Sequence, residues 1–371
     1  MIRAHKTRIN PTPEQEQYFR KAAGTKRFVY NWGLNRWKEM KAQGVDQYGM
    51  MAAKKEFNGI KKEEYPWIAE VAKDVAEGAF RDLGTALKNY FESKKGGRKG
   101  GRVGFPKYKS RKNKKQSFHV NNDRIKIDGH MIRLPLVGWV NMAEELRFSG
   151  KIMGATVSCT AGMWFISIRV QMEKPEPKSF PCKSVGVDVG IKTLATLSDG
   201  SEFENQKPLR NLMSQLRKYS RILSRRKPNS NRWWKAQRKL ERLHYRIACI
   251  RSDMLHKASH QIASTYALIG IEDLNVAGMV KNRRLSLAIS DVGFGEFLCQ
   301  IEYKSEFFGS RVARVGRFFA SSKTCSDCGY VNQELELSHR KWSCEGCGVI
   351  HQRDWNAAKN IEQEAIRLTS A

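Results

Sequence analysis

"KSVGVDVGIKTLATLSDGSEFEN" (183–205) sets an acid, Asp188, inside an apolar run, and the reading of that acid decides the fold. A carboxylate in a buried strand is costly unless a cation or hydrogen-bond donors compensate it. The run begins as a strand and continues in hairpin-like alternation through a DG turn at Asp199-Gly200, which puts Asp188 on the first strand. "YALIGIEDL" (266–274) reads as a second buried strand, ending in Glu272-Asp273. "TCSDCGYVNQELELSHRKWSCEGCGVIHQRDWNAAKN" (324–360) carries a third acid, Asp354, at the opening of a helical pattern. Each acid alone has a plainer role: a turn acid beside Gly190, a helix cap after the strand, an N-cap for the last helix.

Strand-Asp, hairpin, basic insert, strand-Glu and helix-Asp in that order is the order of an RNase H-like nuclease core, and the order joins the three acids into one expectation. Converging carboxylates hold two Mg²⁺ ions about 3.5–4 Å apart, an arrangement that activates water and stabilises a leaving oxygen in phosphodiester hydrolysis. Magnesium suits such a set because it takes few carboxylates and completes its shell with water and phosphate.

Cys325-x₂-Cys328 and Cys344-x₂-Cys347 stand fifteen residues apart, within zinc-ribbon spacing, and each pair is followed by a glycine that allows a tight turn. Four sulfur ligands leave no open position, so this Zn²⁺ site is expected to be structural. Cys159, Cys182, Cys249 and Cys299 are isolated and read as buried thiols.

Charge is the compositional outlier. Lys and Arg number 67 against 37 Asp and Glu, a net +30. Such an excess repels itself unless a polyanion neutralises it, which points to nucleic acid, with an anionic membrane surface as the alternative. No apolar run reaches spanning length and the first residues lack a signal-peptide core, so a cytoplasmic protein is expected, with thiols reduced. Fifteen Lys or Arg and one acid, Glu241, run from Lys207 to Arg251. Two apolar stripes, Leu209 to Leu223 and Leu240 to Ile250, flank "KPNSN" and predict a helical hairpin with one basic face. Arg217, Arg221, Arg225, Arg226, Lys235 and Arg238 on it are candidates for nucleic-acid phosphates.

Upstream, Thr12, Pro13 and Gln15 form a capping-box signature for a helix. A second helical stretch is expected from about Trp67 to Phe91, making 12–92 a small helical bundle. Eleven Lys or Arg and five Gly in 93–115 mark a basic linker. From 117 to 172 the period turns to two, in short strands that predict a small β-barrel.

"GVDVGIK", "GIEDLN", "KNRRLSLAISDVGFGEF", "SSKTCSDCG" and "RDWNAAKNI" resemble the TnpB family, nucleases encoded by insertion sequences and related to type V CRISPR effectors. The resemblance spans nearly the whole chain, with "RFVYNWGL" and "VGFPKYKSR" in the first half. It implies a multidomain α+β fold: a wedge β-barrel (first strand 1–11, remainder 106–180) with an inserted helical recognition domain and basic linker (12–105). A RuvC-type RNase H-like nuclease core (181–320, hairpin 207–251) follows, interrupted by a zinc ribbon (321–350) before its last segment (351–371). It carries over Asp188, Glu272 and Asp354 as the magnesium triad. It implies a guide RNA from the element's own end, a double-stranded DNA target beside a short flanking motif, and one protomer per RNA. Tyr48, Lys73, Glu77, Asn121 and Asn122 align with stretches that read such a motif. Gln352 departs from the family, where an acid commonly precedes the Arg-Asp pair. A non-cleaving RNA-guided repressor and a strand-joining transposase are the rival expectations; the complete triad opposes the first, the basic inserts and ribbon the second.

Overall fold

The computed structural model describes all residues except 46–48, 99, 111–115, 174–179, 181, 337, 371 and the side chain of Cys182. It divides into two units, Met1–Glu173 and Lys174–Ala371.

The first unit opens with β1 (Ile2–Asn10) and α1 (Pro13–Ala42). Helix α1 starts on the capping box: Gln15 N donates to Thr12 Oγ1 at 3.3 Å and Thr12 N donates to Gln15 Oε1 at 3.0 Å. Helices α2 (Met50–Ile60) and α3 (Lys73–Lys94) flank a 3₁₀ turn (Pro66–Glu70). The helix expected from Trp67 thus begins later. Pro66 starts the separate 3₁₀ turn and Val71 is extended, so the helical spacing of Trp67, Val71 and Val75 runs across a break. Val29, Leu34, Phe57, Phe80 and Leu83 form the core of this helical part.

Six strands follow: β2 (Gln116–Val120), β3 (Lys126–Asp128), β4 (Met131–Leu134), β5 (Gly138–Met142), β6 (Lys151–Thr160) and β7 (Met163–Gln171). With β1 they form one antiparallel sheet in the order β2-β6-β7-β1-β5-β4-β3. Trp164, Ile166, Ile168 and Val170, alternate residues of β7, share a single core with Phe118, Ile132, Leu134 and Phe19. The hydrogen-bonded ladder ends at β2 and β3 without pairing them, so among the described residues the expected barrel shares one core but is not closed by hydrogen bonds.

The second unit contains β8 (Cys182–Val189), β9 (Thr193–Leu197), β10 (Glu202–Glu204), α4 (Pro208–Asn211), α5 (Met213–Ser224), α6 (Asn231–Thr265) and β11 (Tyr266–Glu272). It continues through α7 (Val276–Met279), α8 (Ser286–Val292), α9 (Phe294–Phe308), β12 (Arg311–Val315), β13 (Lys341–Ser343), β14 (Ile350–Gln352) and α10 (Arg353–Ser370). Its main sheet has the order β10-β9-β8-β11-β12, with β9 and β10 antiparallel and β11 and β12 parallel to β8. Strand alternation divides the two faces. Val185 and Val187 of β8, with Ile269 and Ile271 of β11, pack on Leu255 and Ile262 of α6 and on Phe297 and Ile301 of α9. Gly186, Asp188, Gly270 and Glu272 point the other way, where α10 lies. The hairpin of α5 and α6 closes on Leu216, Leu243 and Ile247, and α6 runs past Arg251 to Thr265. Among the described residues, no helix is long and apolar enough to cross a membrane.

Candidate functional site

Two glycines seat the last helix. Gly186 and Gly270 are partners in the β8–β11 register. A Cβ on Gly186 would overlap the Ala358 carbonyl oxygen and stand 2.5 Å from Glu362 N; one on Gly270 would lie 2.8 Å from both Ile361 O and Ala365 Cβ. Only hydrogen on these two Cα atoms lets the helix backbone approach so closely. Asp188 and Glu272 each stand two residues beyond their glycine and so on the same face. Asp354 lies one helical turn before Ala358, about 6 Å along the axis, which matches two residues of strand at about 3.3 Å each. The glycine pair therefore sets three acids from distant parts of the chain at one end of the helix.

Their proximity has an electrostatic signature. Asp188 is half-buried. Burial first, then the charges of Glu272 and Asp354, push its pKa from 3.8 up to about 8, against the opposing pull of Arg353 and Arg340. Glu272 accepts a hydrogen bond from Ser321 Oγ at 2.6 Å. Asp354 is held by Arg340 Nη1 at 3.0 Å and by Arg353 Nη2 at 2.9 Å, so its carboxylate does not cap the helix. The adjacent acids 272 and 273 are sorted by their neighbours. Asp273 pairs with Arg317 at 2.8 Å and Arg314 at 3.4 Å, whereas Glu272 faces Asp188.

A carboxyl that keeps its proton to about pH 8 when folded but releases it near 3.8 when unfolded binds more protons in the native chain across that window. Native stability consequently falls as pH rises from about 4 to about 8. In magnesium-free buffer, Asp188→Asn should melt above wild type by a margin that widens toward pH 8 and vanishes near pH 4. A margin independent of pH would place the cause elsewhere.

The four cysteines lie just upstream of α10. Their sulfur atoms all fall within 4.8 Å of one another, with Cys325–Cys347 at 3.7 Å and Cys328–Cys344 at 3.5 Å. A tetrahedron with Zn–S of about 2.3 Å has edges of about 3.8 Å, so the cluster suggests structural zinc. Among the described residues this is the one such group of His, Cys, Asp or Glu gathered to hold a metal ion, and the three carboxylates are not part of it. His351 Nε2 stands 3.0 Å from Cys325 Sγ and its ring lies against Trp342. The ribbon's buried cluster is only Cys325, Leu335, Trp342 and Cys344, too little apolar surface to fold alone. Metal analysis should find about one zinc per chain, and Cys344→Ser should lose both the metal and the ribbon's protection from proteolysis. Folded, metal-free wild type would rule zinc out.

Several positioning residues escape a reading of the sequence. Asn356 and Asn360, one turn apart on α10, are buried and tie the helix to the turn segment 321–326 that enters the ribbon. Asn360 Nδ2 donates to Ser321 O and Thr324 O, and Asn356 Oδ1 accepts from Ser326 N at 2.9 Å. Asparagine is a poor helix former, so two of them four apart in "WNAAKNI" were the available signal. Arg340, Ser321 and His351 carry none.

Of the isolated cysteines, Cys159 is half-buried, whereas Cys249 and Cys299 are exposed rather than buried. They sit on the solvent faces of α6 and α9, whose apolar stripes face away. Cys182's side chain and Tyr48 lie outside the described residues. Arg217, Arg221, Arg225, Arg226, Lys235 and Arg238 are all exposed on the hairpin, and Gln352 is exposed at the end of β14. In the first unit, Asn121 donates through its backbone and side chain to buried Asp74 at 3.0 and 3.1 Å. Glu77 pairs with Lys54 at 3.0 Å, and a further bond from Asn121 helps hold its carboxyl below the usual range. Lys73 and Asn122 are exposed nearby in sequence to these groups.

Residues 167–283 match the OrfB_IS605 family, described as "Probable transposase", and 294–361 match the Cas12f1-like TNB domain. Residues 1–44 match a family described as a helix-turn-helix domain, although they form one strand and one long helix here. A "Putative RNA-guided DNA endonuclease" of Streptomyces pristinaespiralis is 34% identical over 97% of this chain and 88% of its own length. "Putative RNA-guided DNA endonuclease InsQ" of Escherichia coli (strain K12) is 32% identical over 97% and 91%. The solved mini-RNA-guided endonuclease CRISPR-Cas_phi3 shares the fold, with a TM-score of 0.51 at 11% identity over 99% of this chain and 92% of that one. On identity and coverage across nearly its full length, the chain belongs to the TnpB/OrfB_IS605 family of insertion-sequence proteins.

Proposed function

We propose that the protein is an RNA-guided, Mg²⁺-dependent DNA endonuclease that cleaves double-stranded DNA matching its guide beside a short flanking motif. The observation that carries this is the placement of Asp188, Glu272 and Asp354 at the end of the glycine-seated helix, where burial and then the charges of the other two acids push the Asp188 carboxyl up. The sheet order, three antiparallel strands with two parallel strands beyond the first, supports reading this unit as a RuvC-type RNase H-like core. The relatives named above support the same reading.

The donor set fits magnesium: all oxygen, three carboxylates whose repulsion calls for a cation, and two arginines lying against Asp354. When bound, two Mg²⁺ ions would lower the pKa of an attacking water and offset charge on the scissile phosphate. The chain's own work is to hold the three carboxylates, with Ser321 orienting Glu272 and α10 carrying Asp354. Arg340 and Arg353 hold Asp354 in position beside the site. The exposed cations of the α5–α6 hairpin hold the nucleic-acid backbone without reading sequence. Lys73, Glu77, Asn121 and Asn122, with Tyr48, belong to the flanking-motif reader, and Asp74 fixes Asn121 within it. The proposed domains keep the boundaries expected above, and one protomer serves each RNA.

The test is to express the chain with its native flanking DNA, sequence the RNA that co-purifies, and offer a plasmid library randomised beside the matching target in Mg²⁺. Cleavage restricted to one flanking motif is expected. Target binding that leaves the plasmid intact would favour the repressor reading, and recovery of no RNA would overturn guidance.

A further inference from the structure

The segment between β12 and the zinc ribbon carries a side chain that packing does not explain. Phe318 is 96% exposed, whereas the next most exposed aromatic among the described residues, Tyr108, is at 48%. Both faces of its ring are open to water, and among the described residues no other ring and no cation lies against it. Apolar side chains scattered singly on a surface are ordinary, so exposure alone says little. The place and the rigid support of this one distinguish it.

Val315, the last residue of β12, is the register partner of Glu272 on β11. Adjacent strands lie about 4.8 Å apart and three further residues reach at most about 11 Å, so the Phe318 backbone stands within about 16 Å of that of Glu272. Phe319 N donates to Gly316 O at 3.0 Å, closing a β-turn with Arg317 and Phe318 at its corner. The turn is tied to the acid pair on both sides. Arg317 donates to Asp273 Oδ2 at 2.8 Å and to the Asp273 carbonyl at 3.3 Å, and Ser321 donates to Glu272 at 2.6 Å. None of these bonds uses the Phe318 side chain, so the ring does not hold the turn. Turns are dominated by Gly, Pro, Asn, Asp and Ser, which makes a bare phenyl ring at a corner a cost without a structural return.

Gly316, Arg317 and Ala320 beside it are also exposed, so the ring is not part of an apolar patch of the size that takes a protein or a membrane. Residues 311–324 hold three Arg and one Lys and no acid, a segment suited to a polyanion. A flat π-surface on a rigid cationic segment fits a nucleobase, because every base has a π-face to stack on it. A base inside a duplex has both faces covered by its neighbours, so the occupant is an unpaired one.

We propose that Phe318 is a stacking platform for an unpaired base of the DNA strand being cut, within a few nucleotides of the scissile phosphate. The platform rests on the nuclease reading above and adds to it a contact with a base, where the cations already assigned touch only phosphate. Stacking fixes the register of the strand over the carboxylates without selecting a sequence, as a guide-directed enzyme requires. The larger face of a purine gives no more than a graded preference.

The probe is a duplex matching the guide of the co-purifying RNA, with one abasic nucleotide walked through the region of the cut, offered to the ribonucleoprotein in Mg²⁺. Wild type should show a position at which the abasic nucleotide slows single-turnover cleavage about ten- to a hundredfold, the range for losing one base–aromatic stack. Phe318→Ala should slow cleavage of the intact duplex by the same factor and be indifferent to the abasic nucleotide at that position, because both changes remove one contact. Phe318→Trp should restore the wild-type rate and Phe318→Leu should not. Melting temperature and target binding of all three variants should match wild type, since the ring packs on nothing and guide pairing supplies the binding. An abasic profile identical in Phe318→Ala and wild type overturns the platform while leaving the nuclease reading intact. Phe318→Leu cutting as fast as wild type overturns stacking in the same way. Target binding lost in step with cleavage overturns the platform in favour of a role in assembling the complex. Wild-type ribonucleoprotein that leaves every duplex uncut overturns the platform and the nuclease function together.

Discussion

Asp188→Ala should reduce DNA cleavage by about a thousandfold or more while target binding by the ribonucleoprotein stays within a few-fold of wild type. Metal ligation at a phosphoryl centre contributes several kcal/mol of transition-state charge stabilisation, and each 1.36 kcal/mol is tenfold in rate. Binding should survive because the exposed cations assigned to the nucleic-acid backbone lie on the α5–α6 hairpin, not at the end of β8. The fold should survive as well, since the substitution removes a carboxyl that burial first, and then the charges of Glu272 and Asp354, push up to about 8. Plasmid cleavage and filter binding on one preparation separate the outcomes. Loss of both together would make Asp188 a structural residue and sink the nuclease reading of this site.

Gly186→Ala should have the second largest effect, on stability and cleavage at once. The added methyl would overlap main chain of α10 at Ala358. Overpacking of this kind costs about 1–3 kcal/mol where the neighbour can shift. Here the neighbour carries Asp354, and a displacement of about 1 Å at a catalytic group costs about a hundredfold in rate. The expected result is a lower melting temperature with cleavage down about a hundredfold and RNA binding retained. Gly295→Ala is the control: a Cβ there meets nothing within 4 Å, and its helical backbone accepts alanine. Equal effects of the two substitutions would refute the close-approach account.

The site's acids were legible because an acid inside an apolar strand demands an explanation that only a partner across the fold supplies. "VGVDVG" and "ALIGIED" also carried their glycines openly, at the same offset from each acid. That the glycines face one another, and that α10 lies on them, depended on the pairing of β8 with β11 and could not be read from either stretch alone. The groups that touch the carboxylates were the least legible. Ser321 and Arg340 are ordinary surface residue types; the partner of Ser321, Glu272, lies far off in sequence, and Arg340 meets Asp354 only across the ribbon's fold. The 3₁₀ turn before α3 was misread because its apolar spacing imitates a continuous helix. Helix α2 went unseen partly because Gly49 at its start offers no side-chain cap. Strand β5, five residues with a glycine at its head, offered too short a pattern.

The glycine pair also bears on genetics. What a side chain at 186 would strike is main chain, the Ala358 carbonyl and the Glu362 amide, which every residue type shares. No suppressor at 358 or 362 can make room for it, so a lesion at Gly186 has no local revertant except glycine itself. At Gly270 part of the obstruction is the methyl of Ala365, and shaving that residue to glycine would relieve some of it. Two neighbouring positions with the same role thus differ in whether a lineage can recover from losing them.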